Sequence, residues 1–226
     1  MLNSSQSLYS LLLVLIAVAV ALFAYTRWRL REIRATAGTG SLLLGCGSLW
    51  ILANAFELAS RDLNTALRWF CIEHVAMTPI PILWLLLAFQ FTGKEALLTR
   101  GRFAAMTLVP IVCIAILLSD AFRAQFVAAA RLELSDSGAN LVVEPGAFMV
   151  AYYGYGYVLV IAGAILVSRK LIRSLGFVWQ GTIALTGVTL TLLANILDWT
   201  QLNPIPFVKL TPLALVTAVV LFIVTL

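Results

Sequence analysis

The chain has 226 residues, 62% hydrophobic, with a mean hydropathy of +1.01. Charged residues make up 11%, against roughly 25% in an ordinary soluble domain. That composition excludes a soluble enzyme, a disordered chain and a DNA-binding domain. The formal net charge of +5 reads as a record of membrane orientation, with no nucleic-acid partner.

A spanning helix needs about 20 mostly apolar residues. Apolar runs lie at about 8–26, 38–59, 71–92, 103–119, 147–168, 175–197 and 208–226. The first, from Leu8 to Thr26, has no basic residue before it and is followed by Arg27, Arg29, Arg31 and Arg34. A signal peptide has the reverse charge order and a shorter apolar core, so the run reads as a retained helix. The second ends with Trp50, Asn54, Glu57 and Arg61, spaced to share one helix face. The third opens at Trp69 with Glu73 and His74 and is interrupted by Pro79 and Pro81, which predicts a kink. The fifth opens with Tyr152, Tyr153, Tyr155 and Tyr157. The sixth ends with Thr191, Asn195 and Asp198, and the seventh begins with Lys209 and Pro212. Pro204 and Pro206 stiffen the turn between them.

The connections alternate in charge. Those after the first, third and fifth runs hold ten basic residues, among them Lys94, Arg100, Arg102, Arg169, Lys170 and Arg173, against Glu32 and Glu95. The rest of the chain holds five basic residues (Arg61, Arg68, Arg123, Arg131 and Lys209) against eight acids. The positive-inside rule places the first set in the cytoplasm. The expected fold is an all-α membrane protein: a seven-transmembrane helix bundle, N-terminus outside and C-terminus cytoplasmic, in the inner (plasma) membrane. One connection, about 120–146, is long. It reads as a short helix with Phe122, Phe126 and Ala130, then an extracellular β-hairpin between helices 4 and 5, with strands from Arg131 and from Leu141 around a turn at 135–140. It is either a solvated connector or a lid.

Ionisable groups are costly in a bilayer and mark sites or pair with one another. Here they gather toward the outer helix ends. The inner halves carry only scattered groups such as Thr107, Thr182, Thr186 and Gln90. A transporter needs a polar route through the whole thickness. One-sided polarity suits a receptor with an outward pocket. The candidate ligand-binding residues are Trp50, Asn54, Glu57, Glu73, His74, Tyr153, Asn195, Asp198 and Lys209. Structural readings of the same groups stay open: a Glu57–Arg61 pair at a helix end, an Asp198–Lys209 clasp, a hydrogen-bonded structural histidine, and an aromatic belt.

Catalytic motifs are missing. There is no GxSxG elbow, HExxH or P-loop. Cys46, Cys71 and Cys113 lack metal-ligand spacing and read as buried thiols. Lys209 lies at the end of its helix, not the middle, which argues against a retinal Schiff base. No catalytic residue, metal or cofactor is expected.

The stretches Trp50…Ala53-x-x-x-Glu57-Leu-Ala-Ser60, Trp69…Glu73, Leu85-Leu-Leu-Ala-Phe-Gln-Phe-Thr-Gly93, Glu144-Pro-Gly-x-Phe148 and Ala194-Asn-Ile-Leu-Asp198…Leu210-Thr-Pro212 together resemble a known family. It is the N-terminal seven-transmembrane sensor region of bacterial and archaeal histidine kinases, also found before diguanylate cyclases. The resemblance covers about 8–226. The family pattern often has an acid where Lys209 stands. The resemblance implies a single sensor domain, 1–226, that has no enzymatic activity of its own. It would bind an unknown small-molecule signal, external or membrane-borne, and drive a cytoplasmic output domain absent here. Membrane lipid and a second copy in a homodimer are the other implied partners. The competing readings are a small seven-helix transporter or permease, and a membrane scaffold without a ligand.

Overall fold

The computed structural model describes residues 4–29, 35–135, 138–173, 178–200, 202 and 209–225. Arg31, Glu32, Arg34, the turn residues Asp136 and Ser137, and Pro204 and Pro206 lie outside them. The elements in chain order are α1 (Ser4–Trp28), α2 (Ala35–Ala59), α3 (Leu63–Met77), α4 (Ile80–Thr92), a 3-10 turn (Glu95–Leu97), α5 (Arg100–Leu118), α6 (Arg123–Phe126), β1 (Val127–Ser135), β2 (Gly138–Pro145), α7 (Ala147–Arg173), α8 (Val178–Trp199) and α9 (Leu210–Thr225). Six described segments are long and apolar enough to cross a membrane: Ser7–Trp28, Thr36–Ala59, Leu63–Thr92, Arg100–Leu118, Ala147–Ile172 and Val178–Asp198. A shorter apolar helix, Leu210–Val224, follows them.

The packing is that of an all-α membrane bundle. On α1, Leu13, Ala17, Val20 and Ala24 form one buried stripe, while Leu8, Leu11, Leu15, Val18 and Leu22 are exposed. A soluble helix would not leave such a row bare; in lipid it costs nothing. The buried stripe lies along α2, where Ser48 Oγ donates to the Ala17 carbonyl at 2.7 Å.

Helix α2 is central because its residues are small where neighbours come close. A Cβ on Gly47 would sit 2.6 Å from Val216 of α9, and one on Gly40 would sit 2.6 Å from Ile223. Small residues that let backbones approach are the usual contact surface of membrane helices. From α2 the contacts pass to α4, then α7, α8 and α9, and back to α2, closing a ring. Helix α7 is fastened to α4 at two heights. Trp84 Nε1 donates to the Val160 carbonyl at 3.1 Å, and Lys170 Nζ donates to the Phe91 carbonyl at 2.5 Å.

The third run is interrupted at its prolines as expected: Leu63–Thr92 forms one apolar span whose helix is broken between Met77 and Ile80, with Thr78 and Pro79 keeping helical dihedrals. Pro79 and Pro81 lack the amide hydrogens that would bond preceding carbonyls, so α3 stops at Met77 and α4 begins at Ile80. Two side-chain bonds brace the break: Tyr152 OH donates to the Thr78 carbonyl at 3.1 Å, and the Thr78 hydroxyl adds a second donor, at 2.5 Å, to the His74 carbonyl that the Thr78 amide already bonds. At the other end of α3, Asp62 caps the helix by accepting from the Thr65 amide at 2.8 Å. The bond holds the Asp62 carboxyl below its usual pKa. Helix α3 therefore starts eight residues before the expected position 71. Apolarity alone misses that polar first turn.

Between α5 and α7 the short helix is only Arg123–Phe126; Ala130 already belongs to β1. The strands pair antiparallel from Val127 opposite Pro145 to Ser135 opposite Gly138, with a register shift between Val127 and Ala129. They begin earlier than expected because Gly146 N–H donates to the Phe126 carbonyl at 2.8 Å and closes the base. Both strands touch α3.

Candidate functional site

The predicted site residues fall into two joined clusters at one end of the ring. In the first, Lys209, the residue before α9, points between α2 and α3. Its Nζ lies 2.6 Å from Glu73 and 3.2 and 3.0 Å from the two carboxylate oxygens of Glu57. Glu57 and Glu73 side chains are 9% and 4% exposed, so both acids are withdrawn from solvent and rely on this ammonium. Trp50, one helix face along from Glu57, donates Nε1–H to the other oxygen of Glu73 at 2.9 Å. The ammonium also lies 5.6 Å from the centre of the Phe70 ring.

His74 extends this cluster. Its Nδ1 donates to the Phe70 carbonyl at 2.9 Å, because a carbonyl can only accept. Its Nε2 is 3.1 Å from Tyr153 OH, so in the neutral ring the hydroxyl donates to Nε2. Phe126, fully buried, meets the imidazole edge-on with centroids 5.3 Å apart. The base of the β-ribbon is thereby plugged against the site.

The second cluster caps α9. Asp198 of α8 accepts from the Leu210 amide at 2.9 Å, the Thr211 amide at 2.8 Å and the Thr211 hydroxyl at 2.6 Å. Those amides have no partner within their own helix, which is why a carboxylate belongs there. Asn195 Nδ2 reaches the Thr211 hydroxyl at 3.5 Å, and Tyr157 OH donates to Asn195 Oδ1.

The two structural pairings left open by the sequence are replaced by others. Glu57 binds Lys209, and Arg61 is exposed. Asp198 binds the backbone of α9, while Lys209 turns to the acids of α2 and α3. Asn54 is 2% exposed and its Oδ1 has no hydrogen-bond partner among the described residues. Thr211, Tyr157, Phe70 and Phe126 were not among the candidate ligand-binding residues. Tyr157 stood in the tyrosine cluster and Phe126 in the short helix; Thr211 carried a signal, since Thr before Pro212 is a common helix opening, and Phe70 carried none.

Beside the clusters is a cavity of about 100 Å³, lined among others by Trp50, Tyr153, Tyr157, Asn195, Thr211 and Leu215. A second, of about 90 Å³, shares Ile80, Val160, Thr191, Leu192 and Leu215 with it and continues to Leu43 and Phe222. No charged side chain lines either one.

The family model described as the N-terminal 7TM region of histidine kinase matches residues 11–226, and the chain belongs to that family. It is a membrane sensor region of histidine-kinase type and is not itself catalytic. No curated protein and no solved structure matches it.

Proposed function

We propose that the chain is a seven-span sensor, N-terminus outside and C-terminus inside, that binds a neutral amphiphile and transmits its presence through α9. The carrying observation is the place of the cavity. Trp50 lines it and bonds Glu73; Thr211 lines it and bonds Asp198. The acids that hold the start of α9 are therefore each one hydrogen bond away from the cavity wall. The charged candidates are engaged within the protein, Lys209 with Glu57 and Glu73 and Asp198 with the start of α9, so they do not grip solute directly. Tyr157, Asn195 and Thr211 offer hydrogen bonds at one end, and the adjoining cavity is apolar.

Ligand sites usually hold about 300–1,000 Å³. About 100 and 90 Å³ are too little, so occupancy requires α7, α8 and α9 to part. A ligand that fits only the parted arrangement biases the equilibrium by that difference in affinity. A transporter is not favoured, because the cavity lining carries no ionisable group toward the Phe222 end. The output would be a cytoplasmic kinase or diguanylate cyclase domain, working as a dimer in the inner membrane.

The test is a distance measurement. Spin labels on α8 and α9 of the chain in vesicles are followed while 1-decanol is added. The distribution should shift in the native chain and stay fixed in Leu192→Trp, which fills the cavity. Equal shifts in both, or none in either, would end this reading.

A further inference from the structure

A separate cleft lies between α3 and α5, and nothing in the sensor reading uses it. Its volume is about 670 Å³, within the usual range for ligands. On α3 it is lined by Asn64, Leu67, Arg68, Cys71, Ile72 and Val75, one continuous stripe of helix face. The stripe is polar in the first turns and apolar further along. Leu117, Leu118, Asp120 and Arg123 form the opposite wall.

The charges at the rim are unbalanced. Arg123 binds Asp120 at 2.6 Å and the Leu117 carbonyl at 3.3 Å. Arg68 is exposed and makes no hydrogen bond or ion pair with any described residue. Asp62, which accepts from the Thr65 amide and acts on Arg68 only electrostatically, is not among the lining residues. Within the lining, two guanidiniums face one carboxylate above an apolar slot in which Leu118 is 67% exposed. Guanidinium binds phosphate through paired N–H groups, and an alkyl chain replaces water or loose lipid along the apolar wall.

We propose that this cleft holds an anionic phospholipid of the surrounding bilayer, its phosphate between Arg68 and Arg123 and an acyl chain along Cys71, Ile72, Val75 and Leu118. The site does not depend on signalling, and a chain without ligand response would still retain the lipid.

The test uses the chain in vesicles of phosphatidylcholine with one fifth phosphatidylglycerol, released into mild detergent, with retained lipid counted by native mass spectrometry. Phosphatidylglycerol should be enriched several-fold over its bilayer fraction. Arg68→Gln, at an exposed position where folding is not at stake, should remove most of the enrichment. Asp120→Asn, which removes the competing carboxylate, should increase it. Retention in proportion to the bilayer, or enrichment unchanged in Arg68→Gln, overturns the proposal. Displacement of the lipid by 10 mM inorganic phosphate would also overturn it, showing a simple anion site in which the acyl chain does nothing.

Discussion

Lys209 Nζ stands 2.6 Å from Glu73, 136 positions away along the chain, and the same ammonium holds Glu57 of α2. One side chain thus ties the start of α9 to two other helices. The acids are buried while the lysine side chain keeps 31% exposure. The energetic weight therefore falls on the carboxylates, which no other described cation reaches.

Lys209→Met should be strongly destabilising. It strands two buried carboxylates, and breaking a buried pair from one side costs about 3–5 kcal/mol. Thermal unfolding in detergent reads the loss. The triple variant Glu57→Gln, Glu73→Gln, Lys209→Met should regain more than half of it, because no unpaired charge then remains. A single variant that melts like the native chain would show that the acids are satisfied some other way.

Asp198→Ala should loosen α9 locally. The carboxylate satisfies two backbone amides, and losing such a cap costs about 1 kcal/mol. Hydrogen exchange at Leu210 and Thr211 should quicken, with little change in α3. Asp198→Asn should fall between the two, since an amide oxygen still accepts.

At Gly187, α8 lies tight against α9: a Cβ there would lie 2.5 Å from Ala218 Cβ. Gly187→Leu should cost about 1–3 kcal/mol by overpacking. Gly45→Ala on α2 is the control. A Cβ there meets nothing within 4 Å, so melting should hold steady or rise. Equal effects from both would contradict the packing described for α8 and α9.

Asp62 gives a pH dependence confined to the start of α3. Its carboxyl pKa is lowered chiefly by the bond from the Thr65 amide. A lowered folded pKa means the contribution is complete above the ordinary value of about 4 and fades as pH falls through the folded value. Exchange protection at Thr65 should therefore decline on acidification in the native chain. In Asp62→Asn it should stay flat after correction for intrinsic rates.

Apolar run lengths were enough to mark the helices, because each membrane segment must satisfy its own backbone bonds within about 20 consecutive residues. That Trp50, Glu57, Glu73, Asn195, Asp198 and Lys209 gather at one end of the bundle was legible for the same reason: rise per residue converts position into height along a helix. Which groups meet was not legible. Asp198 and Lys209, 11 residues apart at the same depth, looked like partners, yet each binds elsewhere. That choice depends on how α9 is rotated against α2 and α8, which is set by close contacts at Gly40, Gly47 and Gly187. Local periodicity says where a side chain stands along its helix; only packing between helices distant in sequence decides what stands opposite it.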